Sequence, residues 1–301
     1  MANFNDDIGL PRRALNAAQN IGLGKLWYYI SHPKVTIDAG FRWLTTPLRP
    51  LPDFIIIGAN KCGTTSLYEY MTQHPKIKGG IFKELHFFDR YSRYKKGLRW
   101  YRYHFPIRAK SDAFQVGEAT PEYLFNPAVP KRIYEVIPNA KFIVLMRNPV
   151  DRAFSHYQHS KRAGAEDLPF GEALRREKSR IESVLKNIEK NPKYENKKYE
   201  QYSYLSRGRY EEQIKRWLRY FSKDQFIFLK SENLFNNPQK VSNEVFDFLN
   251  VRRFNIEKKK AYNSGNYDEE ISPKLKNKME KYFEKRNSNL EKVSGKSIDW
   301  W

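Results

Sequence analysis

Pro52-Asp53-Phe54-Ile55-Ile56-Ile57-Gly58-Ala59-Asn60-Lys61-Cys62-Gly63-Thr64-Thr65-Ser66-Leu67 is the stretch whose reading decides the fold. Phe54 to Ile57 read as a buried strand, and Leu67, Tyr70 and Met71 recur at helical spacing just after it. Between them runs a loop bounded by Gly58 and Gly63. A helix opened in this way has first-turn N–H groups without intrahelical partners, at the positive end of its dipole, which suits phosphate or sulfate. Taken alone, the stretch equally fits an ordinary strand-loop-helix turn with a surface lysine.

The loop is close to the nucleotide-triphosphate pattern G-x-x-x-x-G-K-[ST], and the difference matters. Thr64 stands where that pattern has lysine, and the lysine has moved back to Lys61. The later apolar strands, Phe142 to Met146 and Phe226 to Leu229, run into Arg147 and into Lys230-Ser231-Glu232 rather than into a metal-holding aspartate. A metal-free anion site is the expectation, with Lys61 and the loop amides neutralising a 5′ anionic group.

The 301 residues carry a formal net charge of +21, with 40% hydrophobic and 15% aromatic content. That is ample for a packed core, and the charge predicts acidic partners. No zinc-finger, helix-turn-helix or RNA-recognition signature accompanies it, so a nucleic-acid partner is not expected. Cys62 is the only cysteine, which rules out an intramolecular disulfide and suggests a reducing compartment. No apolar run approaches the roughly 18 residues of a membrane span, and the N-terminus lacks signal-peptide order. A cytoplasmic protein, with peripheral membrane contact left open, is the expectation.

Residues 1–50 read as a helical or irregular extension whose Trp27-Tyr28-Tyr29-Ile30 and Phe41-Arg42-Trp43-Leu44 clusters dock on the core or touch a membrane surface. From residue 51 to 301 strands alternate with helices. Strands are expected at 114–117, 141–146 and 225–229, and helices at 127–137, 149–163, 209–221 and 238–249. The fold class is therefore α/β, with a P-loop-like central parallel sheet flanked by helices, a helical N-terminal extension and a C-terminal helix over 272–290. Asn148-Pro149 is a cap followed by proline at the first helical position, which puts Arg147 at the carboxyl end of a parallel strand. Ligands bind at that edge in open α/β sheets. Residues 170–205 read as an insertion or lid.

Two further clusters carry candidate chemistry. In Lys83-Glu84-Leu85-His86-Phe87-Phe88-Asp89, strand alternation would put Glu84, His86 and Phe88 on one face, with desolvation raising the glutamate towards the range of a general base. The bland alternative is an amphipathic strand whose Glu84 pairs with Lys83. Arg147 and Ser155, about two helical turns apart, could grip one phosphate together.

Four blocks in order resemble the sulfotransferases that use 3′-phosphoadenosine 5′-phosphosulfate (PAPS), most of all the heparan sulfate N- and O-sulfotransferase branch. They are the 58–65 loop, Lys83 to Asp89, Gly117-Glu118-Ala119-Thr120-Pro121-Glu122-Tyr123-Leu124-Phe125, and Arg147-Asn148-Pro149-Val150-Asp151-Arg152-Ala153-Phe154-Ser155. A fifth, Ser206-Arg207-Gly208-Arg209-Tyr210 through Trp217 to Glu232, extends the match to about residue 250.

The resemblance implies that Lys61, Cys62, Gly63, Thr64, Thr65 and Ser66 hold the 5′-phosphosulfate, and that Arg147 and Ser155 hold the 3′-phosphate. Ser206, Arg207 and Gly208 would approach the nucleotide, and residues 258–267 would close over its 3′ side. Glu84 would be the base, supported by His86, with Lys61 stabilising the leaving oxygen and no metal required. Members acting on glycosaminoglycans often carry lysine where this chain has Ala119, and Asn263-Ser264-Gly265 replaces a Lys-Gly-Arg run. The +21 charge and the Tyr/Lys-rich 191–204 segment, with rings for sugar faces and lysines for anionic substituents, make the expected acceptor a hydroxyl or amine of a carbohydrate-bearing or lipid-linked molecule such as a glycolipid. A nucleotide kinase or NTPase and a basic nucleic-acid-binding protein are the alternatives.

Overall fold

The computed structural model describes residues 40–109, 111, 113–257 and 270–300. The Trp27 cluster and the 258–267 loop lie outside these residues. Phe54–Gly58 forms β1 and is buried along its whole length, as a strand covered on both faces must be. It is the middle of five parallel strands in the order β2-β3-β1-β4-β5. Here β2 is Ile77–Gly79, β3 Gln115–Ala119, β4 Lys141–Met146 and β5 Phe226–Lys230. Phe54 pairs with Gly117 on one side and Lys141 on the other. A Cβ at Gly117 would fall 2.2 Å from the Phe54 ring, so β3 needs glycine where that ring lies across it.

The helices are α1 Thr64–Thr72, α2 Tyr91–Tyr94, α3 Gly97–Tyr103, α4 Val129–Val136, α5 Pro149–Arg162, α6 Phe170–Lys190, α7 Lys198–Tyr202, α8 Tyr210–Trp217, α9 Ser231–Asn236, α10 Pro238–Phe248, α11 Pro273–Arg286 and α12 Leu290–Ser294. The chain fills one side of β1 with β2 and β3, then crosses to the other side for β4 and β5. This reversal opens a crevice at the carboxyl end of β1. As expected, Asn148 caps α5, accepting from the amides of Val150 (2.9 Å) and Asp151 (3.4 Å), with Pro149 at the first position.

Four expectations need correction. The short edge strand β2 was not anticipated; only Ile77 of its three residues is buried, so no alternation marks it. Lys83 to Asp89 is not a strand: Glu84 and His86 have left-handed backbones (φ 61° and 49°), and the segment is an irregular loop. The expected helix over 272–290 stops at Arg286, because the Asn287 side chain turns inward, donating to Gly208 O (3.0 Å) and accepting from Glu211 N (3.3 Å). The tyrosines of 191–204 are not all available to a ligand. Tyr199 and Tyr204 are buried, bonded to Asn126 and Glu166 at 2.8 Å each, because α6 and α7 pack apolar faces on the core.

The Phe41-Arg42-Trp43-Leu44 segment docks through Arg42, with the Trp43 ring under Arg99 and beside Tyr103. Arg42 donates to the carbonyls of Tyr103 and Phe105, and Arg49 to Phe105 O (2.5 Å). Phe41, Trp43 and Leu44 remain exposed.

Candidate active site

The loop after β1 is built to bring backbone close to a ligand. Lys61 and Gly63 both have left-handed backbones (φ 69° and 81°), and Gly63 is the N-cap of α1 with no side chain to cover the helix start. A Cβ at Gly63 would press on Phe235 at 2.9 Å, so the position excludes larger residues by strain and by space. Thr64 and Ser66 are buried in the first turn and Thr65 is half-buried. Cys62 points into the core, its Sγ 3.7 Å from the Tyr210 hydroxyl, while its carbonyl accepts from Ser231 Oγ (2.8 Å). Burial pushes the thiol up, so Cys62 is an inert spacer rather than a nucleophile.

Lys61 is the electrostatic centre. Burial, with Arg162, Arg147 and Arg152 nearby, lowers its ammonium to about 8, while Glu84 pulls the other way. Among the described residues neither Lys61 nor Arg147 forms an ion pair. Two unpaired cations beside an uncapped helix start fit a doubly anionic ligand. Arg147 follows β4 directly, its guanidinium 6.0 Å from the Phe235 ring, with its carbonyl accepting from Tyr210 Oη (2.9 Å). Ser155 is buried on α5. The C-terminal segment comes to the same place, the Trp300 carbonyl lying 3.5 Å from Asn148 Nδ2.

Glu84 reaches the site from the loop before α2. Its side chain is 43% exposed, with Lys83 Nζ at 2.6 Å and His86 Nε2 at 3.9 Å. Burial alone would push the carboxyl up, but Lys83 and then His86 and Arg90 outweigh it, and the net shift is downward. The expectation of a raised glutamate is therefore corrected: Glu84 is ionised at neutral pH, ready to accept a proton. His86 Nδ1 lies 2.7 Å from Oδ2 of the fully buried Asp89. Burial pushes the imidazole down, but the Asp89 hydrogen bond and charge raise it overall. Asp89 thus fixes the ring and leaves Nε2 facing Glu84.

The third sequence block holds this loop in place. Glu84 N donates to Ala119 O (2.9 Å), His86 N to Thr120 Oγ1 (3.4 Å), and the amides of Phe87 and Phe88 to Tyr123 Oη (3.0 and 3.3 Å). Tyr123 in turn donates to the buried Glu118 carboxylate at 2.8 Å, which also accepts from Thr120 (2.8 Å) and Tyr101. The side chains of Phe87 and Phe88 are both buried against Tyr101, so Phe88 is not aligned with Glu84 as alternation required.

The structure brings together Lys61, Gly63, Thr64, Thr65, Glu84, His86 and Arg147. It turns Ser206, Arg207 and Gly208 inward. Arg207 is buried over the Phe125 ring and paired with Glu122 at 2.6 Å, and a Cβ at Gly208 would fall 2.5 Å from Phe283. Asp89, Tyr123 and His159 were not singled out from sequence. Asp89 stands three residues after His86 in a block already noted, which was the available signal. His159 is one helical turn beyond Ser155 on α5; burial lowers its imidazole, as do Lys61 and Arg162, while Glu84 opposes them.

The family model for the sulfotransferase domain matches residues 51–292. The chain belongs to the sulfotransferase family. A crystal structure of a sulfotransferase from Alicyclobacillus acidocaldarius is 30% identical and superposes with a TM-score of 0.68, covering 83% of this chain and 98% of that one. Heparan sulfate glucosamine 3-O-sulfotransferase 5 of Mus musculus is 28% identical over 84% of this chain and 75% of its own length. Bifunctional heparan sulfate N-deacetylase/N-sulfotransferase 3 of Homo sapiens is 32% identical over 67% of this chain but only 22% of its own. Membrane-associated sulfotransferase kil1 of Dictyostelium discoideum is 27% identical over 83% of this chain and 66% of its own length. The chain thus spans less than two thirds of the length of several of the relatives it matches. The heparan sulfate N- and 3-O-sulfotransferases among them form the branch that the sequence blocks indicate. No helix among the described residues is long and apolar enough to cross a membrane.

Proposed function

We propose that this sulfotransferase moves a sulfuryl group from PAPS to a hydroxyl or amine of a carbohydrate-bearing or lipid-linked acceptor. One observation carries the reading: the unpaired Lys61 and Arg147 flank the glycine-capped start of α1, with the ionised Glu84 within electrostatic reach of Lys61. Lys61 and the amides of Gly63, Thr64 and Thr65 suit the 5′-phosphosulfate; Arg147 and Ser155 suit the 3′-phosphate. The donor supplies an activated sulfuryl group whose bridging oxygen leaves with adenosine 3′,5′-bisphosphate. Glu84 takes the acceptor proton, His86 holds the Glu84 carboxylate in position, and the Lys61 ammonium stabilises charge on the leaving oxygen. Charge stabilisation of this kind is usually the largest catalytic term.

The names of the heparan sulfate relatives support a carbohydrate acceptor. Ala119 is fully buried, so its position offers no lysine to an anionic glycan, which favours an acceptor other than heparan itself. The test is a thermal-shift titration followed by sulfate transfer. Adenosine 3′,5′-bisphosphate is expected to raise the melting midpoint without added metal, and labelled sulfate to pass to glycans or glycolipids rather than to small phenols. Stabilisation by ATP with magnesium in place of the bisphosphate would turn the reading to a nucleotide kinase; turnover confined to phenols would remove the carbohydrate.

A further inference from the structure

We propose that the face made by residues 41–48 and α3 docks on an anionic lipid surface, and that it does so beside the Glu84 side of the crevice. Four large apolar side chains project from the segment before β1: Phe41 (54% exposed), Trp43 (42%), Leu44 (75%) and Leu48 (59%). The segment is pinned to α3 by cations. Arg99 lies 4.4 Å over the Trp43 ring and donates to Thr46 Oγ1 (3.3 Å), while Arg102 donates to Arg49 O (3.0 Å). The apolar residues therefore project from a tethered frame. Leu98 on α3 (40% exposed) and Ile81 (43% exposed), whose amide donates to His104 O just after α3 (2.9 Å), add to the exposed apolar surface, and Ile81 belongs to the segment that leads to Glu84.

Charge selects the occupant. Residues 40–52 and 90–108 contain no aspartate or glutamate. Arg49 is buried and Arg90 and Arg108 pair with Glu200 and Asp53, but Arg42, Arg93, Lys95, Lys96, Arg99 and Arg102 form no ion pair among the described residues, and Lys95, Lys96 and Arg99 are exposed at the rim. Apolar side chains ringed by cations, with a tryptophan under an arginine, suit the headgroup level of a membrane carrying anionic lipid. A second copy of the chain would bring the same cations against them, and like charges across an interface oppose association. Residues 1–39 bring nearly balanced charge, Arg12, Arg13, Lys25 and Lys34 against Asp6, Asp7 and Asp38, so they offer these cations little. The docking rests on this face alone and not on sulfuryl transfer.

The experiment is sedimentation of the full chain with phosphatidylcholine vesicles and with vesicles containing about 30% phosphatidylserine, at low and high salt. Binding to the anionic vesicles is expected to fall with salt. Leu44→Glu/Leu48→Glu and Arg99→Glu are each expected to weaken it at least ~10-fold, while stabilisation by adenosine 3′,5′-bisphosphate stays unchanged, which reports an intact fold. Absent binding by the unmodified chain, or binding indifferent to both variants, would overturn the proposal. So would two other results. If Leu44→Glu/Leu48→Glu exposes residues 1–39 to protease, that segment covers the face; if it abolishes a dimer seen by analytical ultracentrifugation, a second copy does.

Discussion

The Arg207 guanidinium and the Glu122 carboxylate lie 2.6 Å apart, with 1% and 4% of their side chains exposed. A charge pair this deep is strongly destabilising to break, because the remaining partner stays buried and uncompensated. Arg207→Met is expected to cost about 3–5 kcal/mol in chemical denaturation, and adding Glu122→Gln to restore most of it. A loss below about 1 kcal/mol for the single variant would equate the pair with a surface salt bridge.

The lowered ammonium of Lys61 gives a pH signature of known sign. Its value falls from 10.5 in an open chain to about 8 in the fold. Between those values the unfolded chain binds more protons, so this group's contribution to stability rises with pH across that window. Anion binding favours the charged form and runs the other way. The affinity for adenosine 3′,5′-bisphosphate is expected to decline as pH rises through about 8, with proton uptake on binding seen by calorimetry in two buffers. Lys61→Arg, which keeps its charge, should flatten that decline; an identical profile in the variant would assign the titration elsewhere.

Glu84→Gln keeps the shape of the side chain and removes the base. Turnover should drop at least ~100-fold while nucleotide affinity stays close to that of the parent. Asp89→Asn removes the charge that raises His86 and should move the pH–rate profile as well as lower kcat. A profile unchanged in shape would show that His86 does not act through Glu84.

Arg147→Ala is expected to weaken adenosine 3′,5′-bisphosphate by about 2 kcal/mol and to leave adenosine 5′-phosphate nearly unaffected, measured by calorimetry. Equal losses for the two nucleotides would take Arg147 away from the 3′-phosphate.

Tyr123→Phe tests the support of the catalytic loop. The change strips the hydroxyl shared by the Phe87 and Phe88 amides and Glu118. A stability loss of about 1–3 kcal/mol with a reduced kcat and unchanged nucleotide binding is expected. Wild-type kcat would show that the loop keeps its position without this bond.

What was legible in the chain was whatever local chemistry dictates. The run Phe54 to Ile57 could only be an interior strand, the glycines on either side of Lys61 marked a close approach, and Asn148-Pro149 announced a helix start that the structure contains. What was hidden depends on partners distant in the chain. Alternation misplaced Phe88 because the loop's shape comes from Ala119 at the end of β3 and from Thr120 and Tyr123 just after it, which bind its amides. The stop at Arg286 depends on a single asparagine reaching Gly208, whereas the lowered Glu84 carboxyl comes from its chain neighbours Lys83 and His86, the pairing with Lys83 being the bland alternative the sequence itself offers. Tyr199, between Lys198 and Glu200, and Tyr204 fall in a polar segment that reads as surface, and they are interior packing.

The hanging of Glu84 from β3 separates two histories within one crevice. The residues proposed to grip the anion belong to β1, α1 and the end of β4, which cannot change without disturbing the sheet. The proposed proton acceptor, Glu84, rides on an irregular loop suspended from three neighbours by hydrogen bonds to its backbone amides. Amides are the same whatever side chains they carry, so the backbone path that holds Glu84 does not depend on the exposed side chains of Ile81 and Phe82, whereas Leu85, Phe87, Phe88 and Asp89 are tied to the buried core. On the proposed assignment, acceptor choice can therefore shift through the exposed start of this segment without touching the residues that would hold the nucleotide.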